Sequence, residues 1–128
     1  MEPAIPTPEE AGKLLERLVS QFNAGVRSRN FSQYLELFDQ RAVLEFEGVP
    51  DWGPFEGKDA IARRFDDDPP DDEIRVTRWK YDRGRVIAQF VWRDIPEACG
   101  GAIVIVPRDQ KVAHLTIAFG GPAARWSA

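Results

Sequence analysis

The densest chemistry in this 128-residue chain is an acidic run, in which Asp66, Asp67, Asp68, Asp71, Asp72 and Glu73 crowd the segment 66–73. Carboxylates gathered this closely could hold a hard cation, because calcium takes several oxygen ligands. The run lacks the alternating ligand spacing and the glycine of a calcium loop, and Pro69 and Pro70 stiffen its centre. A solvated loop explains it, and no metal is expected. Glu45 and Glu47 form the most tempting acid–base pair, since residues two apart share one face of a strand. They alternate with Leu44 and Phe46, so both carboxylates point outward if the apolar side meets the core. His114, the only histidine, alternates in the same way: it falls with Thr116 and Ala118, opposite the core-facing set Leu115, Ile117 and Phe119. Imidazole chemistry therefore has little support. The one cysteine, Cys99, excludes an intrachain disulfide and a cysteine-rich zinc site, and no serine stands in a G-x-S-x-G context.

Two further segments imitate binding motifs. "GPFEGKD" (53–59) has glycines and a lysine, but a phosphate-binding loop needs four residues between its glycines and a hydroxyl after the lysine; here there are three residues and Asp59. Arg75, Arg78, Lys80, Arg83 and Arg85 interleave with Trp79 and Tyr81, as a nucleic-acid platform would. They sit beside the acidic run, so intramolecular pairing explains them more simply. The net charge of −4 also argues against a phosphate-backbone binder. No nucleic acid, cofactor or membrane partner is expected: no apolar stretch approaches a bilayer-spanning length, and the amino terminus lacks a signal-peptide pattern. The expected location is the cytoplasm.

The elements that must position these residues are legible from periodicity. Thr7, Pro8 and Glu10 give a capping box with proline at the first helical position. Ala11, Leu14, Leu15, Leu18, Val19 and Phe22 then form one helical stripe, which Gly25 is expected to stop. A short helix is expected over 32–38, and a half-buried strand over 42–47. Gly48, Pro50, Gly53 and Pro54 make a loop, after which a third helix, opened by Gly57 or Asp59, buries Ile61, Ala62 and Phe65. Four strands follow, over 74–81, 86–93, 101–106 and 111–119, separated by turn-forming segments. Helices first and hairpin-linked strands last mean α+β, with an antiparallel sheet carrying the helices on one face. Length and the absence of a linker predict one domain over residues 1–128.

In that order the elements, with "FNAGVRSRNFSQYLELFDQRAVLEFEGVPDWGPFEGKDAI" and "KVAHLTIAFG", resemble the nuclear transport factor 2-like superfamily, which includes SnoaL-like polyketide cyclases and ketosteroid isomerase. The resemblance implies a cone: three helices close a strongly curved, mostly antiparallel sheet around an apolar pocket, and dimers form through the sheet. The familiar acid–base residues do not carry over. Positions matching the isomerase tyrosine, base and second acid fall on Leu18, Phe46 and Ala102; the cyclase aspartate falls on Gly120; a dehydratase site needs a second histidine.

The expected function is therefore the binding of a hydrophobic or aromatic small molecule. By this alignment the pocket is lined by Phe22, Phe46, Trp52, Phe55, Val91, Leu115, Ile117 and Phe119, with Tyr34 at the rim and Gln89 and Arg93 fixing the ligand's orientation. If proton transfer occurs, of the cyclase, isomerase, dehydratase or hydrolase kind, Asp51 and Asp94 are the candidate bases and Arg93 the stabiliser of developing negative charge. The alternative is a non-catalytic dimerising or protein-interaction module whose pocket is packed shut. Periodicity alone leaves either face of the strand over 86–93 free to be the inner one.

Overall fold

The computed structural model describes residues 6–48, 51–94 and 99–119, at position 99 the backbone alone. The Cys99 side chain and Gly120 thus lie outside the described residues. Helix α1 (Pro8–Ser28) starts on the expected capping box: the Glu10 N–H donates to Thr7 Oγ1 at 3.1 Å, and the Thr7 N–H donates to the Glu10 carboxylate at 2.9 Å. These reciprocal bonds satisfy amides that a helix start would otherwise leave orphaned. The helix does not stop at Gly25. It runs on to Ser28 and closes on Arg29, whose left-handed backbone (φ 62°) lets its N–H donate to the Gly25 carbonyl at 2.7 Å. Glycine serves position 25 through its size, since a Cβ there would stand 2.4 Å from the Phe31 ring.

The second helix, α2 (Ser32–Leu35), is one turn rather than the expected two, because the chain turns directly into strand β1 (Phe38–Glu47). There the Val112 N–H donates to the Leu37 carbonyl at 2.8 Å, which ties the turn to the sheet five residues before the expected strand start. A two-residue strand not foreseen in the sequence, β2 (Phe55–Glu56), pairs back on Val43 and Leu44. Helix α3 (Lys58–Asp67) follows from Gly57, then β3 (Ile74–Asp82), β4 (Arg85–Trp92), β5 (Cys99–Arg108) and β6 (Lys111–Phe119).

The six strands form one sheet in the order β2-β1-β6-β5-β4-β3, antiparallel throughout except for β1 and β6, which run parallel. Register slips leave Thr77, Gly100 and Ala113 unpaired in their ladders, and such bulges bend and twist the strands that carry them. On edge strand β3, the Asn23 side chain of α1 replaces a missing neighbour: its amide donates to the Ile74 carbonyl and accepts from the Ile74 N–H, both at 2.9 Å.

The ladders fix which residues share a face. Leu44 pairs with Leu115 and Phe46 with Ile117; Ile117 pairs with Ile103 and Leu115 with Ile105; these in turn pair with Ala88 and Val86 of β4. This face meets the helices and holds the core, with Leu44, Val86, Ile105 and Val112 fully buried. Ile87, Ala102 and Val104 are also buried, but they lie on the opposite face, outside that core cluster. No helix among the described residues is long and apolar enough to cross a membrane.

Candidate functional site

Between the inner face of the sheet and the three helices lies a cavity of about 370 Å³. Its floor is aliphatic: Leu18 and Val19 of α1, Ile103 of β5, and Leu115 and Ile117 of β6. Its walls are aromatic and differ in depth. At the closed end, Tyr34 is packed edge-on against Phe22 and Phe38, with ring centroids 5.7 and 5.1 Å away, and Phe31 and Phe65 complete the cluster at 6.0 and 5.1 Å. At the open end, Phe46 and Phe119 are nearly parallel at 6.1 Å, as are Phe119 and Trp92 at 6.4 Å, while Trp52 meets Phe46 and Phe119 edge-on.

The open-end rings reach one another because the strand between them has no side chain there. Gly101 of β5 pairs with Phe119 on one side and Phe90 on the other. A Cβ on Gly101 would lie 1.9 Å from the Ala118 carbonyl oxygen, and one on Gly100 would lie 2.7 Å from the Phe90 ring. The "CGG" that looks like a strand breaker in the sequence is where three strands close around the rim.

Polar groups in the wall are few. Tyr34 is 2% exposed, and burial pushes its phenol well above the ordinary value of 10.0. Its hydroxyl makes no hydrogen bond to another described residue. Among those residues every fully enclosed side-chain nitrogen or oxygen has a partner, so the hydroxyl keeps contact with open space, which here is the cavity it lines. Arg64 enters from α3. Its guanidinium carbon lies 5.3 Å from the Trp52 ring centroid, 5.4 Å from Phe46 and 6.0 Å from Phe55. Its Nη1 donates to the Asp68 carbonyl at 2.9 Å and stands 3.5 Å from the Asp68 carboxylate. Asp68, Pro69, Pro70 and Asp71 form the lip on that side.

The structure brings Phe22, Tyr34, Phe46, Trp52, Leu115, Ile117 and Phe119 to the cavity wall. Four other pocket candidates stand elsewhere. Phe55 packs behind Phe46, centroids 6.3 Å apart, and is not in the wall. Strand β4 turns Phe90 and Trp92 inward, so Gln89, Val91 and Arg93 face away from the cavity. The ladder decides this: Phe90 pairs with Val76 and Ala88 with inward Ile103, leaving the odd-numbered residues on the outer face. Arg93 is 65% exposed and pairs with Glu73 at 2.8 Å; Glu73 also takes Arg27 at 2.6 Å, so these arginines tie the end of α1 to the end of β4. They orient the chain rather than a ligand.

The candidate bases are likewise outside. Asp51 is exposed and absent from the wall, and Asp94 is exposed, its N–H donating to the Asp72 carboxylate at 3.4 Å. On the outer face, Glu45 meets His114, Oε1 to Nε2, at 2.9 Å. Among the described residues no three of His, Cys, Asp and Glu converge as a metal site would require.

Sequence reasoning missed Arg64, although a signal was present. Ile61, Arg64, Phe65 and Asp68 fall at i, i+3, i+4 and i+7, so Arg64 stands on the stripe that α3 turns inward.

No family model matches the sequence, and no curated protein matches it. Solved structures do match its shape. A putative ketosteroid isomerase from Kribbella flavida superposes with a TM-score of 0.68 at 17% identity, over 92% of this chain and 83% of that one. An NTF-2-like protein of unknown function from Burkholderia xenovorans gives 0.69 at 16% identity, over 93% and 92%. A putative isomerase from Bacillus subtilis gives 0.61 at 25% identity, over 94% and 92%. With three helices on a six-stranded curved sheet and these likenesses across nine-tenths of its length, the chain has the nuclear transport factor 2-like cone fold.

Proposed function

We propose that this protein binds a hydrophobic or aromatic small molecule in the cavity of the cone. The observation that carries the proposal is the cavity itself. About 370 Å³ of space walled by aliphatic and aromatic side chains is within the range of ligand sites, and a core packed for stability alone leaves few voids larger than a water. The same observation weighs against the alternative of an interaction module with a packed pocket. Two of the structural neighbours, the putative ketosteroid isomerase and a putative polyketide cyclase from Sinorhizobium meliloti, carry names of enzymes acting on small molecules, which is in keeping with this use of the fold. Because the candidate bases Asp51 and Asp94 and the candidate stabiliser Arg93 stand away from the cavity, those residues lend general-base chemistry no support, and the proposed role is binding.

We further propose a cytoplasmic homodimer, formed through the outer face of the sheet. That face carries Glu45 and Glu47 on β1 near one margin and Arg75, Arg78 and Lys80 on β3 at the other. A two-fold axis parallel to the strands would set each acidic margin against the partner's basic one.

A thermal-shift screen against neutral aromatic and steroid-like compounds tests the binding proposal, because a ligand selective for the native state raises its apparent stability. A saturable rise is expected for at least one aromatic class. No rise for any class would refute binding and return the interaction module to first place.

A further inference from the structure

Among the described residues lining the cavity Arg64 is the sole cation, and its placement is unusual for a helix-surface arginine. Its side chain is only 18% exposed, with the guanidinium set among Trp52, Phe46 and Phe55. Aromatic faces hold a cation in place without using any of its N–H groups. A guanidinium presents five such donors in a fixed fork. Here only Nη1 is engaged, and by one residue, Asp68. The remaining donors have no acceptor among the described residues, while every fully enclosed polar side-chain atom there has one. Those donors therefore face open space, at the point where Arg64 borders the cavity. Asp68 is a loose partner: its side chain is 77% exposed, it stands just past the end of α3, and its carboxylate lies 3.5 Å away, too far for a strong bond.

We propose that Arg64 makes the cavity selective for carboxylic acids. The ligand's flat apolar body lies along Phe46, Trp92 and Phe119, and its carboxylate takes the open edge of the Arg64 guanidinium as a two-point pair. Asp68 is the stand-in that this carboxylate displaces. The inference rests on the binding function proposed above and specifies its ligand. It also replaces Arg93 by Arg64 as the orienting cation. A competing outcome is built into the lip: Asp68 and Asp71 together would favour an amine if Arg64 were merely holding the end of α3.

The test uses three probes of one shape: naphthalene-2-carboxylate, the neutral naphthalene-2-carboxamide and the cationic naphthalen-2-ylmethylamine. They are titrated calorimetrically at neutral pH into the full chain and into Arg64→Gln, Arg64→Lys and Asp68→Asn variants. The wild-type protein is expected to bind the carboxylate at least about tenfold more tightly than the carboxamide. Arg64→Gln brings that ratio to about one by weakening the carboxylate far more than the carboxamide, and Arg64→Lys, which keeps the charge without the fork, retains part of it. Asp68→Asn raises carboxylate affinity roughly threefold relative to the carboxamide. Equal wild-type affinities for carboxylate and carboxamide, or a preference for the amine, overturn the assignment while the binding function stands. So does an Arg64→Gln variant that weakens both probes alike. If none of the three probes binds, the carboxylate assignment falls, and the binding function is decided by the broader thermal-shift screen. The wild-type ratio and the Asp68→Asn effect decide the matter even if the Arg64 variants do not fold.

Discussion

The two aromatic clusters of this molecule are built from the same class of side chain and do opposite things. At the closed end Phe31, Tyr34, Phe38 and Phe65 are 2–7% exposed, each ring covered by the next. At the open end Trp52 and Phe119 are 42% and 43% exposed; they touch one another edge-on but leave their other sides to the cavity and to solvent. Aromatic rings gain by burial in either place. The closed cluster has realised that gain in folding. The open cluster has left part of it unrealised, which is the gain that the proposed ligand would draw on. The contrast shows that residue type does not separate a core from a site; the covering elements do. Helices α1, α2 and α3 meet over Tyr34, and over Phe119 nothing among the described residues closes the cavity.

The contrast can be broken most strongly at the closed end. Phe38→Ala, at a side chain 2% exposed, should cost about 3–5 kcal/mol in chemical denaturation. Phe119→Ala should cost only about 1 kcal/mol yet weaken naphthalene-class ligands roughly tenfold by calorimetry. Comparable stability losses at both positions would erase the distinction between the clusters.

Tyr34 sharpens the comparison through pH. Its phenol titrates higher in the folded chain than the ordinary 10.0. Above that value the unfolded chain has released the proton while the folded chain retains it. Stability should therefore be full below pH 10 and fall as pH rises through and beyond it. Tyr34→Phe should remove this part of the alkaline loss and change stability little at neutral pH, as followed by denaturant midpoints across the range. The smallest effect is expected at Arg93. With 65% of its side chain exposed, Arg93→Ala should change stability by less than about 1 kcal/mol and leave ligand affinity unaltered.

Much of this architecture is legible in the chain. The capping box at Thr7, the stripe of α1, the glycine before α3 and the alternation of Leu44 and Phe46 are local signals, and each of these elements forms where such signals put it. Signals that depend on distant partners are not legible. The 86–93 strand presents Val86, Ile87 and Ala88 in succession, so periodicity cannot say which parity is inner; pairing with β5 decides it, and Gln89 and Arg93 go outward. Gly25 looks like a helix stop because its need for space comes from Phe31, which the helix meets only after the chain has turned. Arg64 looks like a solvent-facing arginine beside Arg63 until Trp52, Phe46 and Phe55 are folded around it. The start of α2 at Ser32 is legible locally, but its early end before Leu37, which bonds to β6, and strand β2, which pairs with β1, depend on partners that no local pattern encodes.

The most direct test of the central claim, that the hollow inside the cone is a binding site, is a methyl-resolved NMR titration of isoleucine-labelled protein with naphthalene-2-carboxamide. Ile103 and Ile117 line the cavity, whereas Ile87 lies on the far side of the same sheet. The Ile103 and Ile117 methyl resonances should shift and saturate while Ile87 stays in place. Saturable shifts at Ile87 with Ile103 and Ile117 unmoved, or no saturable shift at any of the three, would contradict it.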